Sequence, residues 1–432
     1  MIVTAGKSQA GRREGGRNEG FEMSSPVDLV GRFLRGFEGL ASREDLFRFQ
    51  FDLIEEITAC ERRWSQLVDK PGSSQGPNSS ASRHALGSER HPGEISELED
   101  VAFAKVILLH FGDSLAWLLL DRTHIRGAST GQKGGHITFR SGFDTEVQAF
   151  ELLRGEPTVK FAILNDLTNC LCVGDITALD EDGLRLIEVK GSDSWMEDPR
   201  ALRQVERAKW FLSYTSVDEG ELPDGLGDAV GLIPKSWKRT GKPRFFRTRT
   251  EREEKYHHTQ LSNCIEKTLD GSEGWSTTIL ANAGVLGVWL ASSGGEQTNQ
   301  LDILDGLRDG TRKEILMGLV NRQIDDFHDL LPIPLFDISD RAKTALLTDA
   351  VHACVVYPRN RLEEAFLKRG YRCLPIRPPV GNSPFTLEKD GLKMAPMDYL
   401  FRRLLYETLE LDSLVGIMDD AFKQLIAQSR EK

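Results

Sequence analysis

Three short runs rich in β-branched and other apolar residues lie between positions 158 and 192, and Asn, Asp and Gly residues separate them. The runs are "TVKFAILND", "NCLCVGDITAL" and "LRLIEVKGS". Runs of this length and composition, with turn residues between them, are typical of an antiparallel β-meander. Because strands of a meander pack apolar side chains on a core, the charged residues inside these runs need a physical explanation.

Two carboxylates and a lysine fall in the hairpin formed by the last two runs. Side chains alternate along a strand, so Glu188 and Lys190 share one face. The turn can place Leu179 opposite Leu184. In that register Asp175 lies directly opposite Glu188, with Cβ atoms about 4.5–5.5 Å apart. Two carboxylates this close repel each other and resist burial, so the pair needs a cation or a shared proton.

A divalent metal ion would satisfy such a pair. Oxygen ligands suit a hard ion such as Mg²⁺, or Mn²⁺, and the Val189 carbonyl is a candidate further ligand. Lys190 would orient or activate the attacking water and offset charge on a pentavalent phosphate. The pattern therefore predicts metal-assisted hydrolysis of a phosphodiester.

The spacing also allows a second register. If Asp182 and Gly183 form a type I′ turn, the pairing shifts and Asp175 faces Lys190 in a cross-strand salt bridge. The short motif does not by itself choose between a metal site and this ion pair.

The elements around the hairpin follow in a recognisable order. A short helix "DTEVQAFELL" precedes a strand, the "GDI" strand, the "IEVKGS" strand and a helix with "RQVER". This order, over roughly 135–216, resembles the PD-(D/E)XK nuclease superfamily, which has the restriction endonuclease-like fold. The resemblance implies that Asp175 and Glu188 bind the metal and that Lys190 assists the nucleophile. It also implies a carboxylate from the preceding helix, for which Glu146 is the first candidate and Glu151 the second.

Two further features bear on this resemblance. Gly174 precedes the aspartate where the family usually has Pro. On the helix predicted over 199–214, four polar residues share one face, and in similar nucleases a Gln or Arg here reaches the active site or a phosphate. A solvated helix face accounts for the same pattern. The four residues are Arg200, Arg203, Gln204 and Arg207.

The best local nucleic-acid footprint is the stretch "KSWKRTGKPRFFRTRTEREEK" over 235–255. It holds nine Lys and Arg against three Glu, with aromatic residues interleaved. Basic side chains would neutralise phosphates and the rings could stack on unpaired bases. An edge strand protected by charge explains the alternation equally well. The candidate contacts are Lys238, Arg239, Lys242, Arg244, Arg247 and Arg249.

Composition limits the possible partners and compartment. The formal net charge of −11 opposes general coating of nucleic acid, so an anionic partner requires a local basic patch. The six cysteines include no CxxC pair, which favours reduced thiols in the cytoplasm over disulfides or zinc. We expect no membrane span, because the longest apolar stretch, 279–291, is too short.

Some polar residues have a plain structural interpretation. Asp113, on an apolar helix, is either a satisfied core aspartate or an additional acidic residue near the metal. The histidines of "YHH" at 256–258 lack acidic or cysteine partners at metal-binding spacing. We therefore expect them to be surface or helix-capping residues rather than ligands.

These observations predict an α/β protein with a restriction endonuclease-like core, a mixed sheet flanked by helices. A helical N-terminal region and a separate α/β C-terminal domain would accompany the core. The predicted segments are a disordered tail (1–25), the helical region (26–70), a flexible linker (71–97), the nuclease-like domain (98–258) and the C-terminal domain (259–432).

The predicted activity is that of a Mg²⁺- or Mn²⁺-dependent endonuclease acting on DNA, with RNA as the other candidate substrate. The type of family would place it in phage defence or DNA processing. The alternative is an inactive nuclease fold that serves as a scaffold binding nucleic acid or protein. Partner proteins and self-association are left open.

Overall fold

A computed structural model describes residues 2–4, 25–68, 92–120, 142–180, 183–190, 254–281, 284–291, 315–322, 330–375, 385–394 and 398–430, with single positions 122, 125, 128 and 137. The protein is a mixed α/β chain that divides into two compact units, Met1–Arg244 and Phe245–Lys432. This division precedes the predicted boundary at 258. The backbone of 255–257 pairs with residues of the second unit: the His257 N–H donates to the Thr408 carbonyl at 2.9 Å.

Four helices of the first unit are described: α1 (Pro26–Glu38), α2 (Arg43–Val68), α3 (Pro92–Leu119) and α4 (Phe143–Gly155). The start of α1 follows local rules, since the Ser25 side chain accepts the Asp28 N–H and Pro26 occupies the first turn. The apolar face of α1 is buried at helical spacing, through Leu29, Val30, Phe33, Leu34 and Phe37.

Helix α3 is apolar on nearly all sides, as the sequence predicts. Its segment Glu97–Leu119 is long and apolar enough to cross a membrane by length and composition. In the first unit, however, this helix packs against α1 and α2, and residues such as Ile107 and Phe111 are fully buried. Burial in the protein core accounts for its composition.

The first unit contains a four-stranded sheet in the order β1-β4-β3-β2. Strands β2 (Phe161–Leu164), β3 (Ile176–Asp180) and β4 (Gly183–Lys190) form the antiparallel meander predicted from the sequence. Strand β1 (Ile2–Thr4) pairs in parallel with β4. Within the range 1–25, predicted to be disordered, these three residues therefore belong to the sheet.

One face of this sheet packs on α3. Phe161, Ile163 and Leu186 lie on that face and form an apolar cluster with Ala116 and Leu120 of α3 and its C-terminal end. Helix α4 contacts β2 and β4.

Strand β3 is shorter than the run "NCLCVGDITAL" predicts. Residues Asn165–Leu167 form a 3-10 turn, and the strand begins only at Ile176. The cause is Asp113, whose Oδ1 accepts the N–H groups of Asn169 (2.6 Å) and Cys170 (2.8 Å). Because those amides donate to a side chain of α3, they are not available to a strand ladder. Of the two interpretations of Asp113, the structure thus supports a core aspartate that is satisfied by hydrogen bonds.

The second unit contains a four-stranded antiparallel sheet in the order β5-β6-β8-β7 and a three-stranded meander, β9-β10-β11. The first sheet consists of β5 (Trp275–Ile279), β6 (Val285–Leu290), β7 (Ile315–Leu319) and β8 (Val351–Pro358). The second consists of β9 (Arg372–Pro375), β10 (Phe385–Lys389) and β11 (Leu392–Met394).

Five described helices accompany these sheets. They are α5 (His258–Asp270), α6 (Asp340–Leu347), α7 (Arg359–Leu367), α8 (Asp398–Tyr406) and α9 (Leu411–Arg430). The chain of this region runs from strand β8 through helix α7 to strand β9 and ends in the two helices α8 and α9. The unit is α/β, and its helices α5 and α8 pack on the four-stranded sheet.

Candidate functional site

The hairpin of β3 and β4 has the first of the two registers considered above. Leu179 pairs with Leu184, and Ile176 pairs with Ile187. Gly183 is itself paired with Asp180, so it belongs to the strand and not to a two-residue turn. The register with a type I′ turn at 182–183 is therefore wrong.

Asp175 lies one residue before the first paired residue of β3. Its N–H donates to the Ile187 carbonyl at 3.0 Å, so Asp175 and Ile176 both face Ile187, as in a β-bulge, and the ladder does not continue to an Asp175–Glu188 pair. The Asp175 Oδ2 accepts the Val189 N–H at 2.7 Å, which holds the carboxylate beside β4. The Asp175 carboxylate thus occupies the place where a further ladder partner of β4 would lie.

Local backbone geometry sets the position of Asp175. Gly174 has a φ of +71°, which is in the left-handed region. The Asn165 side-chain amide donates to the carbonyls of Val173 (2.8 Å) and Gly174 (3.2 Å), which holds this bend. Proline has a φ fixed near −65° and cannot adopt this conformation. A proline at position 174 would therefore not fit this backbone conformation.

The groups near Asp175 on β4 include oxygen atoms of the type that Mg²⁺ prefers. In an antiparallel pair the N–H and C=O of one residue point to the same side, so the Val189 carbonyl lies on the Asp175 side of β4. Glu188 is buried on the same strand as Val189.

The predicted third carboxylate stays a prediction from the sequence. Glu146 is buried in α4, and Glu151 is exposed on the same helix. In the part of the chain that the structure describes, no group of three or more His, Cys, Asp or Glu side chains is arranged to hold a metal ion.

All of the predicted nucleic-acid contacts lie outside the described residues. For Lys190 the structure describes the backbone, as the last residue of β4, but not the side chain. The other residues outside the described part are Arg200, Arg203, Gln204, Arg207, Lys238, Arg239, Lys242, Arg244, Arg247 and Arg249. Their roles stay predictions from the sequence.

The histidines at 257 and 258 are buried, so the expected surface location is wrong, but the other expectation holds for position, since His257 is the N-cap residue of α5 and His258 its first residue. The His258 ring stacks between Tyr256 and Phe336, at centroid distances of 5.0 and 4.6 Å. Its Nδ1 accepts the Asp337 N–H at 3.1 Å. Burial lowers the pKa of His258 to about 4 and also lowers the pKa of His257. Both side chains are therefore neutral core residues.

A buried ion network near these histidines escaped the sequence analysis. Arg403 of α8 donates to Glu407 (2.9 Å), Glu254 (2.9 Å) and the Tyr256 hydroxyl (2.9 Å). The i,i+4 spacing of Arg403 and Glu407 was the available signal, but that spacing is common on exposed helices. The network joins the start of the second unit to α8, which is a structural role.

Comparison with known proteins adds no relative. No protein-family model, curated protein or solved structure matches this chain significantly. The function is therefore inferred from the residues of the hairpin and from the order of the elements around it.

Proposed function

We propose that this protein is a metal-dependent nuclease with a restriction endonuclease-like core, and that it hydrolyses phosphodiester bonds in DNA. The observation that carries the proposal is the hydrogen bond from the Val189 N–H to the Asp175 carboxylate, which holds Asp175 beside the segment of β4 that carries Glu188 and Lys190. The order of α4, β2, β3 and β4 supports it, because it is the order on which the family resemblance rests.

Each residue of the hairpin has a distinct task in this mechanism. Asp175 and Glu188 would hold Mg²⁺ or Mn²⁺, with the Val189 carbonyl as a further ligand. When bound, the ion would supply Lewis acidity toward a phosphate oxygen and lower the pKa of a water. Lys190 would orient the attacking water and neutralise charge that develops on the phosphate.

Substrate binding would depend on local positive charge. The chain as a whole is acidic, so phosphates need the basic stretch 235–255 and the helix predicted over 199–214. Gln204 and Arg207 would reach the water or the phosphate nearest the metal. RNA has the same phosphodiester, so its cleavage must be measured beside that of DNA.

The decisive experiment measures cleavage of single- and double-stranded DNA and RNA with Mg²⁺, Mn²⁺ or EDTA. Asp175→Asn, Glu188→Gln and Lys190→Met should each lower the cleavage rate by about 100-fold or more, because each removes a ligand or a transition-state charge. Asp180→Asn is the matched control, since Asp180 lies at the other end of β3 and pairs with Arg185 at 2.7 Å. That variant should keep its activity.

The second candidate is a nuclease fold that binds nucleic acid or protein without cleaving it. The lack of a third acidic ligand among the described residues favours this alternative. Binding of Mn²⁺ by calorimetry separates the two. If the wild type neither cleaves nor binds Mn²⁺, or if cleavage survives both Asp175→Asn and Lys190→Met, the nuclease proposal is wrong.

Assignment to the cytoplasm is part of the same proposal. All six cysteines are free and four of them are buried, which is compatible with a reducing compartment. A role in phage defence or DNA processing would follow only from the type of family.

A further inference from the structure

Strand β5 forms one edge of the four-stranded sheet in the second unit. Its residues "WSTTI" include no charge and no proline, which are the usual protections of an edge strand. Two large apolar side chains are exposed on it: Trp275 is 43% exposed and Ile279 is 77% exposed. An uncharged apolar edge of this kind is a site for pairing with another strand.

The edge is held in a defined conformation by its inner face. Ser276 is buried, and its hydroxyl donates to the Cys264 carbonyl of α5 at 2.6 Å. The Ser276 and Thr268 hydroxyls also lie 2.8 Å apart. Because side chains alternate along a strand, this anchoring fixes Trp275, Thr277 and Ile279 on the outer face. A partner strand would therefore meet a preformed surface.

The sequence of β5 is complementary to itself. In an antiparallel pair centred on Thr277, Trp275 lies opposite Ile279 of a second copy, and Thr277 lies opposite its own equivalent. Aromatic with β-branched residues and Thr with Thr are favourable cross-strand pairs. The nearest preceding charge, Glu273, would lie opposite Ala281 of the second copy, so the register brings no like charges together.

We propose that two copies of this chain associate through antiparallel pairing of their β5 strands, which joins the two four-stranded sheets into one. This arrangement has two-fold symmetry and closes on itself. The paired edge is short compared with a standard interface of about 800 Å² per partner. The association is therefore weak and depends on protein concentration. It is independent of the nuclease proposal.

The opposite edge, β7, is the competing surface. Ile315 and Met317 are 41% and 51% exposed there. An antiparallel self-pair centred on Met317 would set Met opposite Met and Ile315 opposite Leu319, without an aromatic or threonine pair. Pairing of β5 with β7 of another copy would leave free edges and produce open chains instead of dimers.

Two kinds of variant test the proposal in the full-length protein. Thr277→Lys would place two ammonium groups opposite each other, so it should abolish the dimer that sedimentation velocity detects for the wild type at about 100 µM. Thr259→Lys, at an exposed threonine of α5, is the control and should leave the dimer unchanged. Circular dichroism checks that each variant is folded.

Cross-linking provides a second, independent measurement. Directly opposed residues have Cα atoms about 4.5–5.5 Å apart, which suits a disulfide, so Thr277→Cys should give a covalent dimer on mild oxidation. Met317→Cys should not. A monomeric wild type at 100 µM, a dimer that persists in Thr277→Lys, or a cross-link only through position 317 would each overturn the assignment.

Discussion

Helix α3 and the 3-10 turn at Asn165–Leu167 come into direct contact at Gly112. A Cβ atom at this position would lie 1.7 Å from the Leu167 carbonyl oxygen and 2.6 Å from its carbonyl carbon. Only a glycine permits this approach. The neighbouring Asp113 then reaches the amides of Asn169 and Cys170, so the two adjacent residues together fix the loop that leads into β3.

Gly112→Ala should therefore destabilise the protein by about 3 kcal/mol, because the backbone of the turn must move away from the helix. Urea unfolding followed by circular dichroism measures the change. Gly155→Ala is the matched control: a Cβ there meets nothing within 4 Å, at the end of α4. The control should be neutral or slightly stabilising. Equal losses in both variants would contradict the close contact at Gly112.

The buried histidine at the start of α5 predicts a loss of stability in acid. Burial lowers the pKa of His258 from 6.5 to about 4, although the nearby Asp337 and Glu407 carboxylates favour the charged form. Above pH 6.5 the ring is neutral in both folded and unfolded chains, so this contribution is complete. As the pH falls toward 4, the unfolded chain binds a proton that the folded chain does not, and stability is lost.

When the pH falls from 7.5 to 5, the titration of His258 should lower the free energy of unfolding of the wild type by about 2 kcal/mol. His258→Asn removes the titrating ring and should show a correspondingly smaller loss between the same pH values. Urea titrations at the two pH values provide the measurement. The same loss in wild type and variant would show that other groups cause it.

At the scale of elements, α2 closes one edge of the first sheet. Strand β2 lies at the end of the strand order, and its outer backbone groups meet the fully buried Gln50. The Gln50 amide donates to the Ala162 carbonyl at 2.9 Å and accepts the Leu164 N–H at 3.0 Å. One side chain thus takes the place of a neighbouring strand, which protects the edge.

Gln50→Leu should cost about 2–4 kcal/mol, since it leaves a buried carbonyl and a buried N–H of β2 without partners. Gln66→Leu, at an exposed glutamine of the same helix, should change stability by less than about 0.5 kcal/mol. Hydrogen exchange gives a local measurement: peptides that contain Leu164 should exchange faster in the first variant only. Unchanged exchange there would contradict the edge-covering role.

Arg43, the first residue of α2, caps the C-terminal end of α4. The Arg43 guanidinium Nη2 donates to the carbonyls of Leu153 (2.8 Å), Arg154 (2.8 Å) and Glu156 (2.9 Å). Carbonyls at the end of a helix lack intrahelical partners and carry partial negative charge, so a guanidinium is a favourable cap. The N-terminal helices and the strands therefore belong to one compact unit, although the sequence predicts them in separate segments.

At the scale of the whole molecule, the two compact units each contain their own buried core and sheet. We expect the fragments 1–244 and 245–432 to fold separately, because a unit with its own core does not need the other to bury its apolar surface. Their far-ultraviolet circular dichroism spectra should sum to that of the full chain.

Each fragment should also unfold in one cooperative transition. In the full chain, Gly112→Ala should lower the midpoint of the transition of the first unit only, since the contact between Gly112 and Leu167 lies within that unit. A second fragment that fails to fold, or a shift in both transitions of the full chain, would show that the units depend on each other.

Features that depend on local order along the chain were predictable from the sequence. The meander followed from short β-rich runs between turn residues, and the apolar composition of the helix that carries Asp113 agrees with the burial of α3. One local signal was missed: Asp390 and Gly391, with φ values of 52° and 78°, form the two-residue connection between β10 and β11. An Asp-Gly pair between two strands is a strong hairpin signal.

The candidate site has features that the sequence predicts and others that it does not. The sequence alone put Asp175, Glu188 and Lys190 on one hairpin, because the spacing of residues within a motif is local. Only the tertiary structure chose between the two registers, since they differ by one pair and both bury the same leucines. It also showed that Asp175 is an extra residue at the end of the ladder, which faces Ile187 together with Ile176. These outcomes depend on contacts between residues far apart in sequence, such as Asp113 with Cys170, which no local pattern encodes.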